Sequence, residues 1–162
     1  MTTQSIPIEE VCDWLNTSVS DVFSTMFSSE AQSVPPLDSH GTTEPLVIGS
    51  VGFVGEMNGV VYISVTAAFA RTLTSRMLGM PEAEIEGHEM VNDVIGELSN
   101  MIVGSVKSRL CDRGAPCVLT IPSIVRGQNF EVQPIKPSER RLLGFQCGTD
   151  HLAVEFLMKL SK

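Results

Sequence analysis

Apolar residues recur at two different periods along this chain, and the change of period marks its elements. Ile8, Val11, Leu15, Val19, Val22, Phe23 and Met26 return every three or four positions, which predicts an amphipathic helix over about residues 8–27. Ser5 is its candidate cap, and Pro7 falls in the first turn, where a missing N–H is harmless. A second helix is predicted over residues 66–78, capped by Thr66, with Phe69, Leu73, Met77 and Leu78 inward and a stop at Gly79. The longest helix begins near His88 and ends by Arg113-Gly114, with Val91, Val94, Ile95, Leu98, Met101, Ile102 and Val106 on one apolar arc.

Elsewhere the period falls to two. Residues 46–55 and 60–65 flank Glu56-Met57-Asn58-Gly59, whose Asn-Gly pair predicts a hairpin turn and an antiparallel strand pair. Residues 117–121, 124–126, 130–135, 142–147 and 152–160 read as strands, with turns at Gly127-Gln128 and Gly148-Thr149-Asp150. Between these lie a Ser/Pro-rich stretch over residues 28–45, expected to be a flexible surface loop, and an acidic connector or single helical turn over residues 81–87. Helices and hairpins segregate without strict βαβ alternation. The expected fold is therefore α+β: a largely antiparallel sheet with the first and third helices packed on one face, in a pseudo-repeat of helix plus hairpin.

At 162 residues the chain is the size of one ordinary domain, and its 43% hydrophobic content is globular. It has no apolar run near the ~20 residues of a membrane span and no basic-then-apolar amino terminus, which predicts a cytoplasmic protein. A formal net charge of -8 and a pI of about 4.8 disfavour nucleic-acid and membrane-surface roles. Cys12, Cys111, Cys117 and Cys147 show no Cys-x-x-Cys spacing and read as reduced, mostly packed thiols. His40, His88 and His151 are scattered, so no metal site is predicted. Ser24, Ser99 and Ser105 lack a nucleophile-elbow context. Gly49, Gly52 and Gly55 recur every third position without opening a helix, so they read as marks of close packing rather than a phosphate loop.

The candidate chemistry lies on the longest helix. Opposite its apolar arc, Asp93, Glu97, Asn100 and Gly104 share one narrow stripe, because positions three and four apart are neighbours on a helix surface. Gly104 costs roughly 1 kcal/mol of helix stability relative to Ala, and a close approach by another molecule is one reason to keep it. The phrase Gly96-Glu97-Leu98-Ser99-Asn100-Met101-Ile102-Val103-Gly104 closely resembles the active-site helix of the CheC/CheX/FliY family of chemotaxis phosphatases, with CheX-like members nearest.

The resemblance implies a single CheX-like domain over residues 1–162 and a phosphatase acting on the aspartyl phosphate of a CheY-like response-regulator receiver. The Glu-x-x-Asn signature carries over to Glu97 and Asn100 as catalytic residues, with Asp93 and Gly104 as partner-binding positions. It implies no cofactor of the chain's own, since the receiver supplies Mg2+ and an active-site lysine, and it implies a homodimer paired through the sheets. The rival reading is a non-catalytic module that holds a receiver or a flagellar-switch component.

Sliding the two long helices over each other sets Asp13 on Glu97, Asn16 on Asn100, Val19 on Val103 and Val22 on Val106. Asp13 is one methylene shorter than Glu, and Thr17-Ser18-Val19 replace the small residues that follow a working signature. Asp13 and Asn16 thus read as a vestigial second site.

Overall fold

The computed structural model describes residues 6–36, 44–128 and 139–160. Helix α1 runs over Ile8–Phe27, the span that the apolar spacing predicts. Its entry is Pro7, extended at φ -63° and ψ 143°, and its exit is Ser28 in the left-handed region at φ 49°. The candidate cap Ser5 lies outside the described residues. Strand β1 (Gln32–Val34) follows, then β2 (Leu46–Gly55) and β3 (Met57–Thr66). Helix α2 (Ala67–Leu78) starts where the Thr66 hydroxyl accepts from the Phe69 N–H at 3.1 Å and stops at Gly79, φ 65°. A single 3-10 turn at Glu82–Glu84 leads to α3 (Glu89–Asp112). The chain closes with β4 (Cys117–Leu119), β5 (Ser123–Gly127), β6 (Glu139–Cys147) and β7 (Asp150–Leu160).

All strands join one antiparallel sheet in the order β1-β6-β7-β3-β2-β4, with β5 also on β2. This order shows the expected pseudo-repeat in an interleaved form. Each long helix is followed by a short edge strand and a hairpin, and each edge strand pairs with the hairpin of the other half: β1 with β6, β4 and β5 with β2. The two hairpins meet along β3 and β7. On the helical layer the Ser18 hydroxyl donates to the Ile102 carbonyl at 2.9 Å, and these residues are 84 apart. That is the offset which superposes Asp13 on Glu97. Corresponding residues that touch each other lie at the pseudo-twofold axis, so α1 and α3 cross there.

The core lies between this layer and one face of the sheet. Leu15, Phe23, Ile95, Leu98, Ile102, Ile63, Phe145 and Phe156 are each fully buried. At roughly 1.5–3 kcal/mol per buried large side chain, this contact is the main favourable term of the fold. The architecture is α+β as the sequence predicts, with α2 as a third helix packed beside α3 and α1.

Four details depart from the sequence reading. Gln32–Val34 forms a strand inside the expected loop, because the edge of β6 offers a hydrogen-bonding partner that local composition does not reveal. Asn58-Gly59 is not the turn. The chain reverses at Glu56, and Gly59 lies in β3 opposite Phe53, whose ring would sit 2.4 Å from a Cβ there. Leu78 is 49% exposed rather than inward, at the last residue of α2 before the Gly79 stop. Cys111 is exposed rather than packed. The predicted strand over residues 130–135 lies outside the described residues.

Candidate functional site

The rotation of α3 about its own axis decides which side chains can meet a partner. Val91, Val94, Ile95, Leu98, Ile102, Val103, Val106 and Leu110 are buried, while Met101, expected on the same arc, is half-buried at its margin. One polar residue, Ser99, is buried with them, its hydroxyl donating to the Ile95 carbonyl at 2.8 Å. Ser99 rests on Gly49 of β2, where a Cβ would stand 2.1 Å from its Oγ. The helix therefore settles onto bare strand backbone at that turn. Alongside, Arg126 of β5 donates through Nε to Asn92 Oδ1 at 2.9 Å. Together these contacts fix the phase of α3.

With that phase fixed, Asp93 and Glu97 are exposed and Asn100 is half-buried, on one outward stripe. Among the described residues none of the three has a hydrogen-bond or ion-pair partner. Glu82, Glu84, Glu86 and Glu89 are exposed before them, so the surface leading to the stripe is acidic and suits a cationic partner. Gly96 and Gly104 lie one helical turn to either side of Asn100. A Cβ on Gly104 would meet nothing within 4 Å, and one on Gly96 only Pro122 Cβ at 3.8 Å. Packing within the chain thus accounts for neither glycine, although each lowers helix stability by about 1 kcal/mol relative to Ala.

The structure brings Asp93, Glu97, Asn100 and Gly104 together as the spacing predicts. Asp13 is exposed on α1, but Asn16 is half-buried and its Oδ1 is enclosed without a hydrogen-bond partner. Such an acceptor costs on the order of 1–3 kcal/mol. His88 sits at the α3 N-terminus without a side-chain cap bond, His151 lies in β7, and His40 is outside the described residues. Among the described residues no group of three His, Cys, Asp or Glu is placed to hold a metal. Burial pushes the Cys12 and Cys147 thiols up to about 11, and Cys117 is raised for the same first reason. A recess of about 340 Å3 opens against Leu46, Ser64, Gly144, His151 and Ala153, away from α3. The stripe lies on the outward side of α3, apart from that recess. Two features escaped the sequence reading: the Ser99–Gly49 seat and the packing of Pro122 on Gly96. The second had a signal, a proline inside a strand-like run.

The family model for the chemotaxis phosphatase CheX matches residues 47–146, more than half of the chain and all of α3. The chain belongs to the CheX family. The fold agrees. CheX from Vibrio vulnificus superposes with a TM-score of 0.79 at 23% identity, covering 96% of this chain and 100% of that one. CheX in the CheX-CheY-BeF3-Mg2+ complex from Borrelia burgdorferi gives a TM-score of 0.74 at 20% identity, covering 92% and 97%. FliY from Thermotoga maritima shares the fold more distantly, at a TM-score of 0.65 and 14% identity over 95% and 91%. Among curated protein sequences, none matches the chain. No helix among the described residues of this CheX-family protein is long and apolar enough to cross a membrane.

Proposed function

We propose that this CheX-family protein dephosphorylates a CheY-like receiver by inserting the Glu97/Asn100 stripe into the receiver's active site. The supporting observation is the state of the stripe: an exposed carboxylate and a half-buried carboxamide, both unpartnered among the described residues, on the outward side of a helix with a glycine one turn to either side of the amide. The complex of a fold relative with CheY, BeF3 and Mg2+ fits the same reading.

Hydrolysis needs a water in line with the phosphorus. It attacks phosphorus, the bond from phosphorus to the aspartyl oxygen breaks, and the products are free carboxylate and inorganic phosphate, which takes up the proton of the water. The Mg2+ that neutralises the phosphoryl charge is supplied by the receiver. Asn100 contributes placement, because a carboxamide can both accept from and donate to one water. It cannot serve as a base near neutral pH, so the proton leaves with the products. Glu97 pairs with the receiver's lysine and aligns the amide, and Asp93 lies on the same contact surface.

Decay of a phosphorylated CheY-type receiver, measured with the protein at a small molar fraction of the receiver, tests this. Repeated turnover is the expected result. Stoichiometric binding without faster decay would favour a non-catalytic receiver-binding or flagellar-switch module instead. We further propose a homodimer through the sheet face opposite the helices, where Val54, Val118, Val125 and Leu142 are exposed. Light scattering should report twice the chain mass.

A further inference from the structure

The outward face of α3 is divided lengthwise, and the catalytic stripe uses only one half of it. At 3.6 residues per turn, Asn100, Asp93 and Gly104 point about 60°, 40° and 20° to one side of Glu97. Met90, two turns before Glu97, and Met101, one turn after it, point about 20° and 40° to the other side. The buried residues of α3 that turn the stripe outward, Val94, Leu98 and Ile102 among them, fix the direction of these two methionines as well.

Of the large apolar side chains exposed among the described residues, Met90 is the one on α3, at 40%. Met101 is half-buried, so that part of it packs against the core and the rest stays in solvent. Around them Glu86, Glu89, Asp93 and Glu97 are exposed, which makes the methionines an apolar margin in an acidic surface. Leaving such area in water forgoes about 25 cal/mol per Å2. On α1 the offset of 84 residues that relates the two helices puts Ile6 in the place of Met90 and Thr17 in the place of Met101. Ile6 is 3% exposed and Thr17 is polar, so α1 has no such margin. The apolar margin thus accompanies the outward amide of α3 and is missing where the Asn16 oxygen is enclosed.

We propose that Met90 and Met101 are receiver-docking residues, packing on apolar surface beside the receiver's active-site lysine and excluding water from its ion pair with Glu97. This rests on the phosphatase reading of α3. Met101 is one helical turn, roughly 6 Å, from Glu97. A molecule that brings a lysine to Glu97 therefore covers it, and the occupant is the receiver. The pairing of two copies uses the other side of the molecule, the sheet face that the helices leave open. Excluding water strengthens an ion pair, because the attraction grows as the local dielectric falls. Methionine suits the task, since its unbranched, polarisable side chain adapts to receivers that differ in surface detail.

Two measurements on the full chain test this. In the first, methionine methyl groups are labelled with 13C, and beryllofluoride-activated CheY-type receiver is added with Mg2+. The Met90 and Met101 signals, assigned by substitution, should shift or broaden. Met26, 39% exposed on α1, is the control and should stay in place. In the second, steady-state decay of receivers charged with acetyl phosphate is followed for wild type, Met90→Gln, Met90→Leu and the double variant Met90→Gln/Met101→Gln. Each variant is shown to be folded by its melting temperature, and its mass is taken by light scattering. Met90→Gln should raise KM about threefold and the double variant roughly tenfold, with kcat unchanged, as apolar contacts are lost. Met90→Leu should keep the wild-type KM. Unmoved Met90 and Met101 signals with a receiver that wild type dephosphorylates, or an unchanged KM in the double variant, would overturn the inference and leave the phosphatase reading standing. An equal shift of Met26 would overturn it too, because the contact would not be confined to the margin. A lowered mass with an unchanged KM would make the margin a contact between copies, and the inference fails. If wild type accelerates decay of none of the receivers, the phosphatase reading fails and takes this inference with it.

Discussion

The outward stripes of α1 and α3 carry an acid and an amide at the same spacing, in different surroundings. On α3 the amide is half-buried and unpartnered among the described residues, and it stands between two glycine turns, of which Gly104 faces open space. On α1 the positions that correspond to Gly96 and Gly104 are Cys12, which is buried, and Ser20, which is exposed. The first turn of α1 is tied to its neighbours: Arg141 meets Glu9 at 2.6 Å and Arg113 pairs with Glu10. Asn16 has its oxygen enclosed. Helix periodicity alone gives both pairs their spacing, so spacing does not separate them. What separates them is clearance, meaning whether another molecule's backbone can come close enough for the amide to reach past its own helix.

The largest effect should come from the amides themselves. Asn100→Ala should lower kcat for receiver dephosphorylation on the order of 100-fold, the scale of losing reactant alignment. Its affinity for a beryllofluoride-activated receiver should stay within about twofold. Asn16→Ala should change neither quantity beyond that margin, and a matching loss would erase the contrast between the helices. Next in size, Glu97→Ala should weaken receiver binding roughly tenfold through loss of an interfacial ion pair. Asp13→Ala should leave titration curves superimposable on wild type.

A subtler effect isolates clearance from chemistry. Gly104→Ala should stabilise the protein by about 0.5–1 kcal/mol, because the added methyl group meets open space and improves helix propensity. The same substitution should weaken receiver binding severalfold. Denaturation midpoints rising while affinity falls would mark the glycine as kept for a partner; unchanged affinity would remove clearance as the explanation. Ser20→Ala is the α1 control and should have no effect on affinity.

The smallest effect concerns the thiol that fills the corresponding place on α1. Burial, and then the nearby Glu9, raises Cys12 to about 11, and burial does the same for Cys147. The folded thiols hold their protons when those of the unfolded chain ionise, so their contribution is complete below about pH 9 and is lost as pH rises towards about 11. Urea midpoints should fall between about pH 8 and about pH 10. In iodoacetamide labelling near pH 8, exposed Cys111 should react first and Cys12 only on unfolding.

Much of this was legible in the sequence, and the exceptions share a cause. The bounds of α1 and α3, the Thr66 cap and the Gly79 stop follow from local periodicity and capping chemistry, and they were readable residue by residue. The outward stripe was readable too, since burial of Leu98 and Ile102 forces Glu97 and Asn100 to the other side. What local pattern could not supply was pairing between distant segments. β1 exists because β6 lies beside it, and Gly59 faces Phe53 rather than forming a turn. The one-residue step between β4 and β5 becomes visible only when their registers on β2 are compared. Likewise nothing in the alignment of Asn16 with Asn100 shows that one amide oxygen is enclosed without a partner and the other is not.

The most direct test follows the two carboxamides by NMR. Side-chain amide signals of Asn16 and Asn100, assigned by substitution, are recorded as beryllofluoride-activated CheY-type receiver is added in the presence of Mg2+. The Asn100 signal should shift or broaden on binding while the Asn16 signal stays in place. A response from Asn16 with Asn100 unmoved, or binding that perturbs neither, would contradict the account.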